Sequence, residues 1–144
     1  MPPIQRLIAD DEACRGCEAC TLACAVAHEG AAQPGLARLI VTKDMARYEF
    51  HIDYCRQCED PACLAACPTD AMTLDERGVV MLDDELCVRC GACAEACPYN
   101  AVYYLAEQDR YIKCDLCAGR AEGPLCVAIC PVGAMLLTAE EVTT

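Results

Sequence analysis

The chain has 144 residues, a formal charge of −12, and only one Phe, six Tyr and no Trp. So acidic a chain lacks the basic stripe that nucleic-acid binding needs, and so few aromatic side chains leave a thin core for this length. No apolar run approaches the ~20 residues that cross a bilayer, so no membrane span is expected.

Sixteen cysteines are the dominant feature, and they fall into four groups of four with none left over. The opening MPPIQRLIADDEAC has no basic segment followed by an apolar one. The expected location is therefore cytoplasmic, where cysteines in this number serve as metal ligands rather than disulfides. In chain order, Cys14, Cys17, Cys20 and Cys24 come first, with the spacing C-x2-C-x2-C-x3-C. Ala25 follows, so a helix continues through AVAHE towards Gly30. The piece LARLIVTKDMARYEFHIDY alternates as a β-hairpin. Cys55, Cys58, Cys63 and Cys67 form the second group, with the middle gap stretched to four residues. AMTLDERGVVML reads as a hairpin turning at Asp75 to Gly78. Cys87, Cys90, Cys93 and Cys97 repeat the first spacing, and AVYYLAEQDRYIKC is a further hairpin turning near Gln108 and Asp109. Cys114, Cys117, Cys126 and Cys130 complete the set, with a middle gap of eight.

The last three groups end in Cys-Pro, at Pro68, Pro98 and Pro131. Each is followed by a short apolar run, the last being Ala134 to Leu137. Proline lacks an N–H and holds the preceding residue extended. Each short helix carrying the last two cysteines should therefore stop at Cys-Pro, and the chain should leave as a strand.

Cysteines at i, i+3 and i+6 let one loop hold three corners of an iron–sulfur cube. The fourth lies a helical turn, ~6 Å, further on and reaches a different cube, so the motifs work in pairs. Four motifs then imply four [4Fe–4S] clusters. Paired C-x2-C motifs also hold zinc, but a third cysteine after two more residues and a recurrent terminal Cys-Pro do not suit a zinc site. A disulfide framework, or a set of fewer than four clusters, would also use cysteines in this number. His28 and His51 read as polar surface residues, and Tyr103, Tyr104 and Tyr111 as strand residues packed on the cluster loops. Lys113 reads as a solvated cation or as a donor to a cluster sulfur. Asp10 to Glu12 and Asp83 to Glu85 read as solvated or capping residues.

The segments CRQCEDPACLAACPTDAM and KCDLCAGRAEGPLCVAICPVGAM closely resemble the four-cluster iron–sulfur subunits of molybdopterin and tungstopterin oxidoreductase complexes. That family includes the electron-transfer subunits of dimethyl sulfoxide reductase, formate dehydrogenase, formate hydrogenlyase and tungsten aldehyde oxidoreductase. The resemblance covers residues ~10 to 138. It implies an α+β fold in which two nested bacterial-ferredoxin-like modules, made of short helices and hairpins, surround the cubes. Residues 1–144 would form a single polyferredoxin domain, with 14–24 and 114–130 making one module and 55–67 and 87–97 the other. The implied ligand sets are Cys14, Cys17, Cys20 and Cys130; Cys24, Cys114, Cys117 and Cys126; Cys55, Cys58, Cys63 and Cys97; and Cys67, Cys87, Cys90 and Cys93. Loop lengths alone leave tandem pairing open. The shortness of the chain, with no twin-arginine leader or C-terminal extension, is most like the compact members, some of which stack repeated copies into a wire.

Nothing in the chain forms a catalytic set: there is no nucleophile–base pair, no Gly-rich dinucleotide loop and no pterin-binding domain. Sixteen thiolates with four oxidised cores bring the loaded protein to a charge of about −20, which favours low potentials near −400 mV. The expected role is relaying single electrons between a large tungsten- or molybdenum-pterin subunit and a flavin subunit, a hydrogenase or a soluble carrier. Aldehyde or formate oxidation is the favoured upstream chemistry. The competing reading is a free polyferredoxin serving several oxidoreductases.

Overall fold

Helices and two-stranded antiparallel sheets alternate along a computed structural model that describes residues 4–140. Residues 1–3 and 141–144 of the expected 1–144 domain lie outside the described residues. Strand β1 (Ile4–Ala9) leads into the first cysteine loop, and α1 (Ala19–Glu29) carries Cys20 and Cys24. Strands β2 (Leu39–Asp44) and β3 (Glu49–Tyr54) follow, then α2 (Ala62–Ala66). Next come β4 (Met72–Leu74), β5 (Val80–Leu82), α3 (Ala92–Ala96), β6 (Val102–Leu105) and β7 (Arg110–Lys113). Helix α4 (Leu125–Ile129) and β8 (Met135–Glu140) end the described chain.

The three expected hairpins form. β2 pairs with β3 from Leu39–Tyr54 to Asp44–Glu49, β4 with β5 from Met72–Leu82 to Leu74–Val80, and β6 with β7 from Val102–Lys113 to Leu105–Arg110. In the β4–β5 turn the Asp75 carboxylate accepts from the backbone N–H groups of Arg77 at 2.8 Å and Val79 at 2.9 Å. An Asx turn of this kind satisfies donors that a short loop would otherwise leave unpaired. The fourth sheet has no local signature: β1 pairs antiparallel with β8, from Ile4–Glu140 to Ala9–Met135, and ties the two ends of the described chain together.

The short helices stop where proline demands. Cys67, Cys97 and Cys130 each cap a helix in extended backbone, whereas α1 runs past Cys24 and ends at Gly30. α1 packs on α4, and α2 packs on α3. Apolar burial divides along the same line. A larger cluster gathers Cys14, Cys20, Cys24 and Cys126 with Leu7, Leu39, Val41, Phe50, Ile52 and Met135 among others. A smaller one has Met72, Val80, Cys93 and Val102 at its centre, with Cys63, Cys67 and Cys97 packed on it. Glu29, at the end of α1, is buried between Arg38 at 3.2 Å and Arg110 of β7, fixing α1 to the hairpin that feeds the last motif.

Candidate metal centres

All four cysteine loops repeat one backbone shape. The residue just before the second cysteine is left-handed each time, at Gly16 (φ 67°), Gln57 (46°), Arg89 (60°) and Leu116 (55°). Three of the four are not glycine, and each such residue costs about 1–2 kcal/mol, so the surroundings hold the loop in this form for a purpose. The shape turns backbone N–H groups inward. Gly16 N–H donates to Cys14 Sγ at 3.4 Å, and Leu116 N–H to Cys114 Sγ at 3.4 Å.

The stretch after each Cys-Pro also repeats. Asp70 (φ 57°), Asn100 (51°) and Gly133 (66°) are left-handed, and the alanine that follows each is almost fully buried. That turn aims the alanine N–H back at the cysteine: Ala101 N–H reaches Cys97 Sγ at 3.4 Å, and Ala134 N–H reaches Cys130 Sγ at 3.3 Å. Burial pushes the Cys130 thiol up, but the N–H groups of Val132, Met135, Ala134 and Gly133 together bring it below its ordinary value. At Cys67 burial is outweighed in the same way by the N–H groups of Thr69, Met72 and Ala71. At Cys67 and Cys130, Cys-Pro thus builds a nest of donors that favours a thiolate. Cys24 has no proline, and the N–H groups after it are used within α1. Its sulfur is served by Arg38 N–H at 3.3 Å and faces His28 Nδ1 at 3.6 Å.

The thiols collect across the chain in groups. Burial pushes the Cys20 thiol up to about 11; the opposing influence is the Thr21 N–H, and the charges that bear on it are those of Cys130, Cys14 and Cys17. Cys126 is pushed up to about 12 by burial, then by Cys117 and Cys24. Burial raises Cys58, with Cys55 and Cys97 next. Burial raises Cys93 likewise, with Cys87 and Cys90 as the charged neighbours. Two enclosed, mostly apolar pockets match these groups. One is lined by Cys14, Cys17, Cys20 and Cys130; the other by Cys67, Cys87, Cys90 and Cys93. Among the described residues no three His, Cys, Asp or Glu side chains converge where a single ion would sit. Tetrahedral zinc requires that convergence. Thiols spaced around a pocket, raised by burial and given inward N–H donors, suit a multi-iron core whose positive charge offsets the cost of ionising them.

Comparison with known proteins agrees with this donor set. A model of the 4Fe-4S dicluster domain matches residues 46–140, and one of a 4Fe-4S binding domain matches residues 11–27. This chain belongs to the 4Fe-4S dicluster family. It is an iron–sulfur protein of the ferredoxin type, in the family of iron–sulfur subunits that includes that of dimethyl sulfoxide reductase. It is 31% identical over 141 residues to the thiosulfate reductase electron transfer subunit PhsB of Salmonella typhi, covering 90% of this chain and 72% of that one. It is 35% identical over 142 residues to the probable anaerobic dimethyl sulfoxide reductase chain YnfG of Escherichia coli K12, covering 88% and 69%. Among solved structures it resembles a chain of the active site complex BamBC of benzoyl coenzyme A reductase with 1,5-dienoyl-CoA. The TM-score is 0.62 and the identity 25%, over all of this chain and 80% of the other.

The remaining polar residues of this iron–sulfur protein are only partly where sequence places them. His51 is exposed and sits between Asp11 at 2.7 Å and Asp53 at 3.1 Å. Asp10 accepts from the N–H groups of Glu12 and Ala13, and Asp83 from that of Glu85, as capping residues do. His28 is not a surface residue. Its Nδ1–H donates to the Cys24 carbonyl at 2.9 Å, and Nε2 faces the Asp115 carboxylate at 3.3 Å. Asp115, then Cys117 and Cys24, push it up to about 12. Its partner stands 87 residues away, so no local pattern marks it. Tyr103 is partly buried, and its hydroxyl donates to the Asp53 carbonyl at 3.5 Å. Tyr111 lines the Cys67–Cys93 pocket, while Tyr104 faces outward, its ring 5.0 Å from that of Tyr111 and tilted by 43°. Lys113 is no solvated cation: it is 4% exposed, and its Nζ donates to the carbonyls of Val80 and Cys114, each at 2.6 Å. Gln57, which the spacing of cysteines does not single out, is fully buried beside it. Among the described residues no helix is long and apolar enough to cross a membrane.

Proposed function

We propose that this chain is a single four-cluster domain that relays single electrons through a row of [4Fe–4S] sites between a large molybdenum- or tungsten-pterin catalytic subunit and a second redox subunit or carrier. The ligand sets are Cys14, Cys17, Cys20 and Cys130; Cys24, Cys114, Cys117 and Cys126; Cys55, Cys58, Cys63 and Cys97; and Cys67, Cys87, Cys90 and Cys93. The first and last motifs make one ferredoxin-like module, and the middle two make the other. The observation that carries this reading is geometric: α1 packs on α4 and α2 on α3, and two pockets are each lined by cysteines from two motifs. Cys20 bears on Cys126 only after Cys117 and Cys24 of its own set, and Cys55 bears on Cys114 across the two modules. Such adjacency strings the four sites into one row. Bound cubes supply one-electron redox chemistry, and the chain spaces them, excludes water and donates N–H groups to sulfur. The two exposed cysteines, Cys17 and Cys90, belong to the outermost sites and make them the entry and exit.

Low potentials favour aldehyde or formate oxidation in the pterin subunit. Likeness to subunits named for thiosulfate and dimethyl sulfoxide reduction supports a second reading, in which electrons run the other way, into that subunit. In either case the protein works on the cytoplasmic side, and substrate turnover belongs to the partner.

Purified without oxygen, the chain should carry about 16 iron and 16 acid-labile sulfides. Stoichiometric zinc without sulfide would sink the cluster assignment. Affinity purification from the native host should bring down a large pterin-containing subunit. Elution alone, with equal reduction by several unrelated oxidoreductases, would replace the complex with a free polyferredoxin.

A further inference from the structure

Between the two modules lies a closed polar ring in an otherwise apolar interior. Gln57 Nε2 donates to the Cys114 carbonyl at 2.9 Å, and its Oε1 accepts from Val80 N–H at 2.8 Å. Lys113 Nζ donates to the carbonyls of the same two residues, Val80 and Cys114. The ring thereby ties the second cysteine loop, strand β5 and the fourth cysteine loop into one unit.

A lysine this deeply buried is almost always paired with an opposite charge. Lys113 has two carbonyl dipoles and, among the described residues, no carboxylate within ion-pair reach. An ammonium has three N–H donors, so one is left over. The groups near it that become negative when they serve as ligands are cysteine sulfurs of the two neighbouring sets. Its charge acts against the dominant effect of burial on both Cys63 and Cys114. Cys63 belongs to the set of Cys55, Cys58 and Cys97, and Cys114 to that of Cys24, Cys117 and Cys126. The fixed cation therefore stands between two anionic sites and compensates both.

We infer that Lys113 is a positioning residue that raises the reduction potentials of the two middle clusters relative to the two outer ones, with Gln57 holding the ring in which its ammonium sits. This rests on the four-site reading proposed above. A fixed positive charge in a medium of low polarity makes addition of an electron easier at every centre it faces. Thiols of the outer sets, Cys20 and Cys93, take their leading charge influences from other cysteines rather than from Lys113. The row thus has a raised middle, where an electron crossing between modules is held away from both surfaces.

The test measures the potential of each centre by electron paramagnetic resonance in the fully loaded protein, alongside its iron content. Lys113→Met keeps the stem and removes the charge. It should leave the iron content unchanged and shift the reduction equilibrium of the two middle centres at least tenfold, to potentials ~59 mV lower for a one-electron couple. The outer two should stay within a twofold change. Lys113→Arg should retain most of the wild-type pattern. If Lys113→Met loads poorly, Gln57→Glu gives the same answer by placing a negative charge in the ring. It should lower the same two centres. Unchanged middle potentials in these variants, or an equal shift of all four centres, would overturn the inference while leaving the four-site reading intact. A wild-type protein with fewer than four centres would overturn that reading, and this inference with it.

Discussion

Around the first and fourth motifs Cys14, Cys20, Cys24 and Cys126 are buried, while around the second and third only Cys55 and Cys93 are. The loops themselves match, with the same left-handed residue before the second cysteine and, in three of four, the same turn after Cys-Pro. What differs is the packing outside them. The outer motifs have an eleven-residue helix, the β1–β8 sheet and most of the apolar side chains. The inner motifs have two five-residue helices and a small cluster centred on Val80 and Met72. One ligand pattern is thus held at two levels of insulation. The lesson is that the cysteine loop specifies ligation, and the elements around it specify dielectric and access.

The largest effects should come from the ligands that join the two ends. Cys24→Ser and Cys117→Ser should perturb the same cluster signal and each cost about 4 of the 16 iron atoms, while Cys17→Ser perturbs a different one. If Cys24→Ser and Cys17→Ser lose the same signal, the crossed pairing fails and the two halves must be redrawn.

A matched pair of core residues sharpens the contrast in packing. Met135 and Met72 occupy the same place after Cys-Pro-x-x-Ala, 1% and 3% exposed, but in the larger and the smaller cluster. Met135→Ala should cost about 4 kcal/mol and Met72→Ala about 2 kcal/mol, both within the usual range for such truncations. Denaturant unfolding of the loaded protein measures both, and equal losses would show that the halves are packed alike.

Two glycines make a finer comparison. A Cβ on Gly16 would lie 2.5 Å from the Phe50 ring, and one on Gly91 2.8 Å from the Tyr111 hydroxyl, both at positive φ. Each substitution costs about 1–2 kcal/mol in the backbone alone. Gly16→Ala adds about 1–3 kcal/mol, because the Phe50 ring is locked in the core, whereas the Tyr111 tip can yield. Midpoint temperatures should therefore fall further for Gly16→Ala; the reverse order would break the assignment of rigidity to the outer half.

The smallest effect concerns His51, on the outer half's surface. The Asp11 carboxylate holds its pKa above the ordinary 6.5. Because the folded value is the higher one, its contribution to stability is complete below pH ~6.5 and fades as pH rises through the folded value. The pair is exposed and screened, so the change is slight. His51→Gln should flatten the stability profile above pH ~6.5, and a wild-type profile already flat there would remove the pair from consideration.

What could be read from sequence follows the range of the interactions. The Cys-Pro stops and the three hairpins are local, and proline chemistry and alternation mark them. The run past Cys24 is marked by the missing proline. The β1–β8 sheet is invisible because IQRLIA gains strand character only from a partner at the far end of the described chain. His28 and Lys113 look like ordinary polar residues because their partners Asp115 and Val80 arrive from other segments. The ligand types are legible residue by residue. The grouping of thiols needs the fold, which lines one pocket with Cys130 beside Cys14, Cys17 and Cys20 and another with Cys67 beside Cys87, Cys90 and Cys93.

The same β1–β8 pairing sets an order of events on the ribosome. Ala9 pairs with Met135, and the segment between them must be synthesised before the sheet can close. At ~5–20 residues per second that wait is roughly 6–25 s, against roughly 2–8 s for the span from Cys55 to Cys97. The better-protected half is therefore the last to be protected. While the rest of the chain emerges, Cys14, Cys17, Cys20 and Cys24 lack the sheet that closes over their end of the molecule.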